Sequence, residues 1–240
     1  MLKTIRSLSL QWLLLCSTFA VATPAFVEAL EKAPFISTTP SSDPEEWLLA
    51  HIDVETTGLV AGYHEIIDIG IIMTDLKGKE LDRIFLRIMP DHPERTQPGA
   101  VAVNGFSVER WQSQGSISSA TAVNKLFDFH RRSAREKHVI LVGYNAWFDI
   151  TFLDEIFRRQ GKSWRELYYY FVLDLPSMAW SLGLQDLNGR DISNILGVTP
   201  ETTDPLEHTG MTGAEFNARV YRAMLQPQKT IKMEPRVTGQ

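Results

Sequence analysis

Apolar positions along the chain fall into two kinds of run. "WLLAHIDVE", residues 47–55, is apolar almost throughout, as expected of a strand buried on both faces. "HEIIDIGIIMTD" and "ELDRIFLRIMP" repeat that pattern, and the Lys77-Gly78-Lys79 turn between them predicts an antiparallel hairpin. "DHPERTQPGAVAVNGF" then reads as a Pro-rich loop. After it the period lengthens: Val123, Leu126, Phe127 and His130 recur at helical spacing between Ala120 and Arg135. "HVILVGYN" is again a short strand, and "AWFDITFLDEIFRRQG" reads as a helix stopped at Gly161. "YYFVLDLPSMAWSLG" predicts a strand entering a helix with Pro176 in its first turn, and "RDISNILG" and "MTGAEFNARVYRAML" are the last two helices. Three antiparallel strands followed by alternating strands and helices predict an α/β fold, a mixed sheet flanked by helices.

The two ends read differently. "MLKTIRSLSLQWLLLCSTFAVATPA" carries Lys3 and Arg6 and then no charge until Glu28. A basic start, an apolar stretch from Leu8 to Phe19 and the small-residue site Ala20-Val21-Ala22 predict a signal peptide over residues 1–22, and hence an exported protein, periplasmic or secreted. An uncleaved membrane anchor is the competing reading, because the uncharged run is roughly as long as a spanning helix. Gln11, Ser17, Thr18 and the Ala-x-Ala site favour cleavage, after which no stable membrane association is expected. Residues 23–45, rich in Pro, Ser and Thr, read as a linker, 46–226 as the folded domain and 227–240 as a flexible tail.

Composition adds three constraints. An apolar fraction of 44%, with six Trp and twelve Phe, fits an ordinary globular core. Cleavage after Ala22 removes Cys16, the single cysteine, so stability must come from that core and not from disulfides. It also takes the formal net charge from −5 to about −7, which disfavours indiscriminate coating of duplex nucleic acid.

Candidate chemistry lies in the acids. Asp53 and Glu55 are two apart on a strand and so project to one face, where two carboxylates repel each other unless a cation compensates them. A hard divalent metal is the simplest compensator, although a lone Asp-x-Glu at a strand end is more often a solvated pair. In "GYNAWFDITFL", Asp149 sits on an otherwise apolar helix face, and Asn145 at the preceding turn fits an ordinary helix cap. In "EHTGMTGAEF", His208 precedes the last helix.

Together "HIDVETTGL", "GYNAWFDITFL" and "HTGMTGA" resemble the three motifs of the DEDDh class of 3′-to-5′ exonucleases, which includes the proofreading subunit of bacterial DNA polymerase III, ribonuclease T and the TREX enzymes. The resemblance runs from about Trp47 to Leu225 and implies a ribonuclease H-like five-stranded sheet. It implies hydrolysis of phosphodiesters with two divalent ions, Mg²⁺ or Mn²⁺. Asp53 would bridge them, Glu55 and Asp149 would each hold one, and His208 would act as general base. Thr56, Thr57, Gly58 and Leu59, with Asn145 and Phe148, would bind the 3′-terminal nucleotide of an unpaired strand, and a homodimer is in keeping with several relatives. "VNGF", residues 103–106, also matches a loop of the family or is a plain turn.

One position departs from the pattern. Gly213 stands where the family has its fourth acid. Its absence implies reduced activity, or a nucleic-acid-end binding protein without efficient turnover, and restoring an acid at 213 would be expected to raise activity. Glu215 should face away from His208, and Asp204 and Glu207 in the preceding loop are speculative substitutes. The basic residues in "HRRSAREKH" and at Arg158, Arg159 and Lys162 read as solvated helix ends before they read as a phosphate track.

Overall fold

A computed structural model describes residues 38–184 and 186–226. The segments read from sequence as signal peptide and tail, and most of the one read as linker, lie outside them. β1 (Trp47–Thr56), β2 (Ile66–Thr74) and β3 (Glu80–Arg87) form an antiparallel meander. The hairpin turn is held by Asp75, whose carboxylate accepts the N–H groups of Lys77 and Lys79 at 2.9 Å each.

The Pro-rich stretch is not plain loop. Pro98 starts α1 (Pro98–Asn104), whose missing N–H costs nothing in the first turn, and Gly105 ends it at a left-handed φ of 60°. α2 (Val108–Ser113) and α3 (Ser119–Ser133) follow, the latter burying Ala122, Val123, Leu126 and Phe129. Then come β4 (His138–Gly143), α4 (Ala146–Arg159), β5 (Val172–Asp174), α5 (Leu175–Ser181), α6 (Gly189–Leu196) and α7 (Gly210–Met224).

The sheet order is β3-β2-β1-β4-β5, with β4 and β5 parallel to β1. This is the mixed five-stranded α/β arrangement that the sequence predicts. Alternation along β1 sends Leu48, Ala50, Ile52 and Val54 into a core with α3 and α4, and Trp47 and Leu49 into a second core with α5, α6 and α7. Asp53 and Glu55 continue the second face, beneath the start of α7.

α7 is seated unusually close to the sheet. A Cβ on Gly70 would stand 2.2 Å from the Gly210 carbonyl oxygen, and one on Gly210 would stand 2.6 Å from the Asp53 carbonyl oxygen, so backbone meets backbone there. Asn217 locks the next turns by donating to the Ile52 carbonyl at 2.8 Å. His208, two residues ahead of α7, is thereby carried to the end of β1.

Candidate active site

Strand order reverses between β1 and β4, and open α/β sheets place their sites at the carboxyl ends of strands beside such a reversal. The β1–β4 ladder extends from Trp47/His138 to His51/Val142. Beyond it the N–H of Val54 is taken by Asp149 Oδ1 at 3.0 Å. That bond pins α4 across the mouth of the gap and turns Asp149, 2% exposed, toward Asp53 and Glu55.

A cleft of about 450 Å³ opens at this point, lined by Asp53, Glu55, Asp149 and His208. Thr56, Gly58, Leu59, Asn145 and Phe148 line it too, with Leu59 exposed at the rim. Thr57 is the exception among the sequence-derived site residues. It is fully buried; its hydroxyl accepts the Glu65 N–H at 2.9 Å and its carbonyl accepts the Gln97 N–H at 2.8 Å. Thr57 therefore holds the loop behind the cleft and does not face it. Asn145 is also not an ordinary cap: it adopts a left-handed conformation with φ 60°, its side chain makes no capping bond, and Asp174 accepts the Ala146 N–H instead.

His208 is fixed at both nitrogens. Nδ1 lies 2.8 Å from the Thr202 carbonyl, which can only accept, so this nitrogen carries a proton and Nε2 faces the cleft. Nε2 stands 3.0 Å from Glu55 Oε1. Asn104, 1% exposed, steadies the other Glu55 oxygen by donating at 3.2 Å and also donates to the Thr56 carbonyl at 3.1 Å. "VNGF" was thus a signal in the sequence, but the partner of Asn104 was not.

Two further acids adjoin this core. Asp68, fully buried, pairs with Glu55 in the β1–β2 ladder and accepts the Gly210 N–H at 2.8 Å, while its Oδ2 has no hydrogen-bond partner. Glu201, from the loop after α6, accepts from Thr212 Oγ1 at 3.0 Å and lies 3.6 Å from His208 Nδ1. The sequence offered no sign of either, since Asp68 sits inside an apolar strand and Glu201 in a featureless loop. Glu215, as expected, faces away and pairs with Arg83 at 2.6 Å. Arg132 pairs with Asp82 of β3, and Arg159 with Glu65 ahead of β2 as well as with Glu155, so these two cations tie their helices to the sheet and are not merely solvated helix ends.

The acids destabilise one another's charge. Burial, then Asp149, Glu201 and Glu55, hold the Asp53 carboxyl well above the usual carboxylate range. Burial also raises Asp149 against the opposing bond from Val54, with Glu55 adding to the rise, and it pushes Asp68 up to about 7. For His208 burial works toward neutrality, but Glu55 and then Glu201 outweigh it and raise the imidazole to about 9. Protonated His208 stabilises the metal-free fold fully below pH ~6.5, and that contribution is lost as pH rises through about 9. In EDTA the Tm should accordingly fall between pH 6.5 and 9, and His208→Gln should flatten the fall; thermal denaturation across that range reads it directly.

Hard divalent cations suit this donor set. Every candidate ligand is a carboxylate oxygen, negative charge is crowded away from water, and Asp68 keeps an orphaned buried oxygen. The ligand sphere is not preformed: among the described residues no three His, Asp or Glu side chains already stand at metal-binding spacing. Glu55 is drawn instead to His208, and Asp149 to Val54.

Comparison with known proteins agrees with this geometry. The 3′-5′ DNA exonuclease Cap18 of Escherichia coli is 24% identical over 188 residues, spanning 73% of this chain and 90% of that protein. A PolC-type DNA polymerase III of Pediococcus pentosaceus is 29% identical over 109 residues, covering 45% of this chain but 7% of the polymerase. The nuclease domain of 3′hExo, a DEDDh family member bound to rAMP, superposes with a TM-score of 0.60 at 14% identity over 75% of this chain and 91% of that one. E. coli exonuclease I in complex with a dA16 oligonucleotide gives 0.59 at 16% identity over 74% of this chain, which spans 40% of the larger enzyme. Residues 51–220, most of the sequence and all three motifs, match the RNase_T exonuclease family, and the protein belongs to it.

Proposed function

We propose that the protein is an exported, divalent-metal-dependent 3′-to-5′ exonuclease acting on unpaired DNA or RNA ends. The observation that carries this reading is the convergence of Asp53, Glu55, Asp149 and His208 on one cleft at the end of β1. Asp53, Glu55 and Asp149 would hold Mg²⁺ or Mn²⁺, which when bound supply positive charge at both the entering and the departing oxygen of the phosphodiester. Glu55, the carboxylate that raises His208, would be engaged by the cations it holds and so favour the neutral imidazole, in which Nδ1 keeps its proton on the Thr202 carbonyl and Nε2 can accept a proton from water. The water oxygen bonds to the terminal phosphorus, the P–O3′ bond breaks, and a nucleoside 5′-monophosphate leaves a strand ending in a 3′-hydroxyl. Leu59 and Phe148 offer apolar surface to unstacked bases, which suits single strands.

Purified protein with Mg²⁺ or Mn²⁺ should release 5′-mononucleotides from single-stranded DNA or RNA, and EDTA should stop the release. The second reading, an end-binding protein without turnover, is favoured by Gly213; oligonucleotide binding with no product in either metal would establish it. Export rests on the first 22 residues. Expressed from its full sequence in a bacterial host, the protein recovered outside the cytoplasm should begin at Thr23 by N-terminal sequencing, and a cytoplasmic product starting at Met1 would refute export.

A further inference from the structure

Gly213 leaves the family pattern one carboxylate short, but the space beside it is not vacant. A Cβ at 213 would lie 2.3 Å from Asp53 Cγ, so the Asp53 side chain rests in the volume a side chain at 213 would use. The neighbouring residue on that turn of α7, Thr212, donates its hydroxyl to Glu201. Glu201 thus reaches the same turn from the loop after α6, beside His208, and lines the cleft together with Asp53. It also lines the adjoining cavity that Asp53 and His208 share with α6.

We propose that Glu201 is the fourth carboxylate of the metal site, delivered from the loop and taking over the task of the acid missing at 213; this rests on the metal-dependent reading above. Charge supports it. Of the acids that line the cleft, Asp53, Glu55 and Asp149 supply three negative charges and Glu201 a fourth, matching two divalent cations, while Asp68 lies behind the lining. Geometry supports it as well, because Glu201 Oε1 lies 3.0 Å from Thr212 Oγ1, whose proton it shares with the Thr209 carbonyl, and 3.6 Å from His208 Nδ1, which places the carboxylate at the start of α7 on the wall of the cleft. Asp204 and Glu207 do not fill this role. Asp204 caps its own turn by accepting the Leu206 N–H at 2.9 Å, and neither residue lines the cleft.

The test is calorimetric titration of Mn²⁺ into the metal-stripped full chain, with Glu201→Gln, Glu201→Asp and Glu215→Gln beside the wild type. Glutamine keeps the shape and the bond from Thr212, so the fold should persist, and circular dichroism checks it. Glu201→Gln should weaken Mn²⁺ binding by about 10- to 100-fold. Glu201→Asp should fall between it and wild type, and Glu215→Gln, tied to Arg83, should bind as wild type. Wild-type Mn²⁺ affinity in Glu201→Gln overturns the inference while leaving the exonuclease reading intact. A wild-type chain that binds no Mn²⁺ and releases no nucleotide overturns both.

Discussion

Replacing Asp149 by asparagine should leave a folded protein that is more heat-stable without metal and about 10³-fold less active as a nuclease, the scale of removing a principal electrostatic group from an active site. Asparagine keeps an oxygen to accept the Val54 N–H, so the bond that pins α4 to β1 survives. What disappears is a buried negative charge that Asp53 and Glu55 resist. Stability gained and activity lost in one substitution is the signature of a group retained for function. Denaturation in EDTA and initial rates with Mn²⁺ measure the two halves separately. A variant that is inactive and also less stable would mean that Asp149 is chiefly an anchor for α4.

The second large effect is expected at Gly213, where the packing of Asp53 argues against the gain that the sequence reading expects. An acid restored there would complete the family motif on paper, yet any side chain at 213 runs into Asp53, with Cβ 2.3 Å from its Cγ and Oδ2. Gly213→Ala should displace the Asp53 carboxylate and lower kcat by about 10²-fold, the cost of misplacing a reacting constellation by an ångström or so. Gly213→Asp should also fall below wild type, because Asp53 must give way before the new acid can help. Steady-state kinetics on a single-stranded oligonucleotide, with circular dichroism to verify the fold, tests both variants. A rate above wild type for Gly213→Asp would show that Asp53 moves freely and that the site lacks an acid.

Much of this was legible in the sequence for specific reasons. "HIDVETTGL" couples a buried strand to two acids and a tight turn, and local patterning suffices to read all three. Likewise the hairpin and α4 follow from turn residues and periodicity. α1 was missed because Pro98 and Gly105, which begin and end a helix, also punctuate loops, and only seven residues lie within the helix. Thr57 departs from the sequence reading in its placement, because its neighbours line the cleft while its own hydroxyl turns to Glu65. Glu201 was invisible for a different reason: no local pattern marks it, and its position follows from how the loop after α6 returns over the seated end of α7. The close backbone contact of Gly70 with Gly210 makes that seating possible, and it is a tertiary fact.

A cleft at the end of β1 that receives a 3′ terminus and removes one nucleotide at a time leaves a distinct product pattern. A single strand labelled at its 5′ end, incubated with the protein and Mn²⁺ and resolved on a denaturing gel, tests it most directly. The expected result is a ladder of labelled strands shortening stepwise, with the label reaching mononucleotide last and no ladder from the Asp53→Ala variant. Early release of labelled mononucleotide, internal fragments without a ladder, or an intact strand would contradict it.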